Sequence, residues 1–103
     1  MAQVIDRVVL EKDGHTKVIA IIYYPEYDTK KHGTDPRRER LGSHLLANYE
    51  PYKAVKYVDG QLQDEWEYEY EGRAGNRLFS EVGRLALGNW RIVGVSENIK
   101  NVE

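Results

Sequence analysis

Apolar residues fall along this chain in two rhythms. Val18 to Tyr24 is apolar at nearly every position and rich in Ile, Val and Tyr, the pattern of a central strand covered on both faces. Val4 to Glu11 mixes β-branched residues with Asp6, Arg7 and Glu11, as an edge strand does. Asp13-Gly14 lies between the two runs, and both central positions of a tight hairpin turn favour positive φ. The first unit predicted is therefore a hairpin. Pro25 to Thr34 has no period and reads as a loop. Asp35 followed by Pro36 then signals a helix start, since Asp accepts an orphan N–H and Pro supplies a preset φ. Leu41, Leu45 and Tyr49, joined by Leu46, draw an apolar stripe at helical spacing, and Pro51 ends it.

The second half returns to period two. Tyr52 to Val58 and Leu62 to Glu71 flank Asp59-Gly60, a second hairpin. In its second arm Trp66, Tyr68 and Tyr70 alternate with Glu65, Glu67, Glu69 and Glu71. A three-residue loop, Asp59 to Gln61, places Lys56 opposite Asp64, Lys53 opposite Glu67, Val58 opposite Leu62 and Tyr52 opposite Tyr68. Gly72 to Gly75 reads as a turn and Asn76 as an N-cap. Leu78, Phe79, Val82, Leu85 and Ala86 share one helix face, with Arg77, Glu81 and Arg84 opposite, and Gly88-Asn89 is the stop. Trp90 to Val95 is a closing strand, and 97–103 is a polar tail.

The order predicted is β-β-α-β-β-α-β: a single α+β domain over 1–103, its mostly antiparallel sheet carrying two helices on one face. With 103 residues the chain is too short for a doubly wound nucleotide-binding enzyme or a (β/α)₈ barrel. It has no cysteine, which excludes a disulfide scaffold, a thiolate metal site and a cysteine nucleophile. No apolar run reaches the roughly 20 residues of a spanning helix, and no signal peptide is evident, so a soluble, cytoplasmic protein away from membranes is expected.

Four groups of residues could carry chemistry. Lys30, Lys31, Arg37, Arg38 and Arg40 stand against Asp28, Asp35 and Glu39 between positions 28 and 44. Arg37, Arg40 and His44 share the helix face opposite Leu41 and Leu45, and guanidinium forks near helix N–H groups suit phosphate. A net charge of −2 tempers a nucleic-acid reading, and a solvated helix face would look the same. From Asp59 to Glu71 there are six carboxylates and no Lys or Arg. Period two puts Glu65, Glu67, Glu69 and Glu71 in a row, spaced by roughly 6.5 to 7 Å, which fits a basic protein surface or an exposed sheet face with Lys partners. Eight Tyr and two Trp add contact residues, with Tyr23, Tyr24, Tyr27, Tyr49, Tyr52 and Tyr57 near the loop and hairpin junctions. Glu26, Asp28, His32 and Asp35 could ligate a metal, but their spacing matches no ligand motif, and no metal or cofactor is expected. His15 sits in a turn, where solvation accounts for it.

No hydrolase, NTPase or dinucleotide motif occurs. The expectation is a non-catalytic binding protein that meets a basic macromolecular partner through Glu65, Glu67, Glu69, Glu71, Tyr52 and Tyr57. Inhibitors, immunity-type antagonists and phage-like accessory proteins share this size and polarity, an analogy of type alone. The chain would act as a monomer or a homodimer. One alternative is nucleic-acid binding through Lys30, Lys31, Arg37, Arg38, Arg40 and His44. Another is a small metal-dependent or histidine-dependent enzyme acting on a phosphorylated or nucleotide substrate at His32 and His44.

Overall fold

A computed structural model of the chain describes residues 2–25 and 50–96. Among these residues five strands form one antiparallel sheet: β1 (Gln3–Lys12), β2 (His15–Tyr23), β3 (Tyr52–Val58), β4 (Gln61–Tyr68) and β5 (Arg91–Ser96). Their order is β4-β3-β2-β1-β5. One helix, α1 (Glu71–Leu87), links β4 to β5 and so crosses from one edge of the sheet to the other. The architecture is α+β, as expected, but with one described helix in place of two. The predicted helix at 36–49, with Leu41, Leu45 and Tyr49, lies outside the described residues, as does the tail at 97–103.

β2 occupies the middle of the sheet, where its two-sided apolar character belongs. β1 is not an edge. β5 returns to pair with it, Val8 opposite Val95 and Leu10 opposite Ile92; Arg7 and Glu11 lie on the face away from the core, while Asp6 and Lys12 share the side of Val8 and Leu10, and Lys12 Nζ donates to the Gly88 carbonyl at 2.7 Å. Both hairpin turns use positive φ at both positions, Asp13 and Gly14 in the first and Asp59 and Gly60 in the second. The second turn has two residues, since Val58 pairs with Gln61. A register shift between Lys56 and Tyr57 then restores the pairings Lys56–Asp64, Lys53–Glu67 and Tyr52–Tyr68. The three-residue loop was therefore the wrong device for a largely correct register; a bulge in β4 does its work, and Leu62 meets Tyr57 instead of Val58.

The helix begins five residues before Asn76, with Gly72 and Gly75 inside it. Gly83 is a third, and a glycine in a helix interior costs about 1 kcal/mol of helix propensity. Burying Ala74, one turn before Leu78, offsets this, because it extends the apolar contact with the sheet. Tyr70 at the N-cap makes no side-chain capping bond. At the other end Asn89, at φ 70, takes the left-handed position, and the Trp90 N–H donates to the Leu85 carbonyl at 3.0 Å.

The core joins Val8, Leu10, Ile19 and Ile21 to Ala74, Leu78 and Leu85, with Ile5, Tyr52, Tyr68, Val82 and Trp90 around it. Two helix assignments change. Phe79 and Ala86, placed on the buried face by period, are exposed, and Glu81, placed opposite, is buried. Spacings of four, three and four from Ala74 through Leu78 and Glu81 to Leu85 set the observed stripe.

Candidate functional site

Among the described residues β4 is the free edge of the sheet on its side, and the acidic run lies along it. Asp59, Asp64, Glu65, Glu67, Glu69 and Glu71 are all exposed. Glu65 and Glu67 lie on the face away from α1, opposite Val55 and Lys53. Lys53 joins them: its Nζ is 3.2 Å from Glu65 Oε1 and 3.6 Å from Glu67 Oε1. Burial pulls the Lys53 ammonium down, but the Glu65 hydrogen bond and the charges of Glu65, Tyr24 and Glu67 outweigh it, and its pKa stands above the ordinary lysine value. One cation thus fixes two carboxylates on adjacent outward positions. The predicted row of four is shorter in fact, because the strand ends at Tyr68. Glu69 falls in the bend beyond it and Glu71 opens α1, where a negative charge suits the helix N-terminus.

The aromatic side of the same strand serves the core. Trp66 and Tyr68 are half-buried beneath α1, where the Arg77 guanidinium lies 4.8 Å from the Trp66 ring centre and Arg77 Nε–H donates to Tyr68 Oη at 2.9 Å. That hydrogen bond, more than the neighbouring charges, holds Arg77 above its usual pKa. Tyr52 stacks on Tyr23, ring centres 4.9 Å apart, and packs against the core. Tyr57 is half-buried on the opposite face, across from Leu62.

The turn of the second hairpin is clamped to the start of β2. Asp59 Oδ1 accepts from the Thr16 N–H at 2.9 Å, Oδ2 lies 2.8 Å from His15 Nδ1, and the Asp59 N–H donates to the Thr16 carbonyl at 2.8 Å. The Thr16 N–H first, and His15 second, hold the Asp59 carboxyl below its ordinary pKa. His15 has a carboxylate partner in addition to solvent.

Glu81 is the charged residue that sequence reasoning missed. It is 3% exposed, under α1. Its Oε1 is 3.1 Å from Lys56 Nζ, and its Oε2 is 3.6 Å from Arg84 Nη1 and 3.8 Å from Arg77 Nη1. Lys17 stands beside this group, its Nζ 4.8 Å from the Trp90 ring centre. Burial pulls the Lys17 ammonium below its usual value; Lys56 and Lys12 act in the same direction and Glu81 against it. A signal was available in the sequence: Lys17 and Lys56 hold core-facing positions by strand parity, and Glu81 completes the helix stripe.

The other candidates, Lys30, Lys31, Arg37, Arg38, Arg40 and His44 for phosphate, and Glu26, Asp28, His32 and Asp35 for metal, lie outside the described residues. Among the described residues no cluster of His, Asp and Glu is arranged to hold a metal ion, and no helix is long and apolar enough to cross a membrane. Comparison with known proteins finds no family model, no curated protein and no solved structure that matches this chain.

Proposed function

We propose that this protein is a non-catalytic binding module that docks a basic macromolecular surface, most simply another protein, on the carboxylate edge of β4. The observation that carries the reading is the Lys53 bridge, which leaves Glu65 and Glu67 accessible while holding them in place. Carboxylates fixed before contact lose less entropy on docking than the same charges on a floppy segment. Lys53 neutralises one of the two charges, so attraction rests on the whole edge from Asp59 to Glu71. Long-range attraction of this kind accelerates encounter and weakens as salt rises. Inhibitors, immunity-type antagonists and phage-like accessory proteins remain the type to which the analogy points. A chain without cysteine suits a reducing compartment, and the cytoplasm is the proposed location.

The test compares the parent chain with Glu65→Lys/Glu69→Lys, each immobilised and exposed to extract of the native host. Surface charges of this kind add little to stability, so the variant keeps its fold by circular dichroism. Basic proteins retained by the parent and lost from the variant are expected, with association rates that differ about tenfold or more at low salt and converge at high salt. Retention of the same proteins by both, at equal rates, would remove the acidic edge from the binding surface.

A further inference from the structure

The opposite edge of the sheet has the reverse character. Among the described residues, α1 packs mainly over β2, β3 and β4 and leaves the helix side of β5 largely uncovered. A mainly apolar groove of about 440 Å³ results, lined by Val8, Ile21, Leu78, Val82, Ile92 and Val95 together with the charged Asp6 and Arg7. Phe79 also borders it, 72% exposed on α1, and Ile92, Val93 and Val95 are 47%, 45% and 56% exposed. One edge of β5 pairs with β1; the other has no strand beside it among the described residues. From Ile92 to Ser96 there is no charge and no proline, two of the devices that guard an open edge; Arg91 at the start of the strand and the bulge at Val93 are the guards it has.

We propose that this edge and its groove are the interface for a second copy of the chain, the two β5 strands pairing antiparallel across a two-fold axis. Comparison of the two edges selects that occupant. Pairing β4 with β4 would bring Asp64, Glu65 and Glu67 against their own copies, which like charge opposes. Pairing β4 with β5 would set those carboxylates beside Ile92 and Val95 and leave an edge open at each end of a growing array. A β5–β5 contact is self-complementary and closed. It also brings the two apolar grooves together, with Phe79 of each copy at the seam. The contact is small. Six residues span about 20 Å of strand, and the bulge at Val93 interrupts the ladder. Such a strand with its groove buries roughly 500 Å² per copy, below the ~800 Å² of a standard interface. The dimer is therefore weak, with Kd on the order of 10 to 100 µM.

Sedimentation equilibrium on the full chain from about 5 µM to about 1 mM tests this directly. The mass should climb from 12.0 kDa toward twice that value across the series. Phe79→Glu changes an exposed helix position and should weaken association at least tenfold without altering the fold. Val95→Lys places a cation on the edge itself and should hold the chain monomeric, with folding checked by circular dichroism. Glu65→Lys, on the far edge, should dimerise like the parent, so this result separates from that for the acidic surface. A parent that stays at 12.0 kDa at 1 mM would overturn the proposal. So would a dimer indifferent to both Phe79→Glu and Val95→Lys.

Discussion

Replacing Glu81 with Leu removes the buried carboxylate from among four cations and leaves Lys56, whose side chain is 14% exposed, without its 3.1 Å partner. The Lys56 ammonium would then face Lys17, Arg77 and Arg84 in a partly buried site, with exposed Asp64 opposite it on β4. Breaking one side of a buried pair costs about 3 to 5 kcal/mol. Arg84 is largely exposed, and Lys56 can turn partly toward solvent, so the lower end, about 3 kcal/mol, is expected. The converse change, Lys56→Met, should cost less, about 1 to 2 kcal/mol, because Glu81 keeps Arg77 and Arg84 near its second oxygen. The double variant exchanges the pair for apolar packing and should return to within about 1 kcal/mol of the parent. The two single losses would thus fail to add by roughly 3 to 5 kcal/mol. Urea titration followed by tryptophan fluorescence gives each corner of the cycle, and thermal melts supply a second reading, about 4 to 8 °C per kcal/mol for a domain of this size. A coupling below about 0.5 kcal/mol, or Glu81→Leu as stable as the parent, would refute the electrostatic reasoning and make Glu81 a spectator on the helix.

Two further outcomes follow from the packing and the turn clamp. Leu85→Ala empties a core position and should cost about 2 to 4 kcal/mol, whereas Leu87→Ala, two residues on and 89% exposed, should shift the urea midpoint by less than about 0.5 kcal/mol equivalent. Equal midpoints for the two variants would displace the assigned buried face. Asp59 has its folded pKa depressed below 3.8, so its contribution is present above that value and is lost as pH falls through the folded pKa. Asp59→Asn tolerates the positive φ but lacks the charge; its melting temperature should fall less steeply than the parent's below pH 3.8, and parallel curves would exclude the clamp as a source of acid sensitivity.

Hairpins were legible because their signals are local. Asp-Gly turns and alternating side chains fixed the pairing of β3 with β4 closely enough that a wrong turn length still led to Lys53 opposite Glu67. Helix entry was not legible, since Gly72 and Gly75 speak for a turn and only contact of Ala74 with the sheet overrules them. The position of β1 depended on β5, some eighty residues away, and no local pattern encodes such a pairing. On the acidic strand, alternation separated aromatic from carboxylate faces correctly through Tyr68, then failed at Tyr70, where the chain turns to enter α1. Glu81 was misplaced by an averaged helix period that took charge as evidence of exposure. Only the lysines facing it from two other elements reveal why it is inside.

The return of β5 to β1 also orders assembly in time. β1 through β4 run in sequence around a central hairpin, and their ladders can form as each strand becomes available. β1, however, keeps an unsatisfied outer row of backbone groups until α1 has crossed the sheet and delivered Arg91–Ser96 to its far side. Val8 pairs with Val95 across a long stretch of chain, and closing so large a loop is slow compared with forming a hairpin. On a ribosome the last ladder would close only after the final strand had left the exit tunnel. Until then the nascent chain carries two templates for wrong pairing, the β1 edge and the apolar β5 segment, and the molecule's greatest exposure to aggregation falls in that interval.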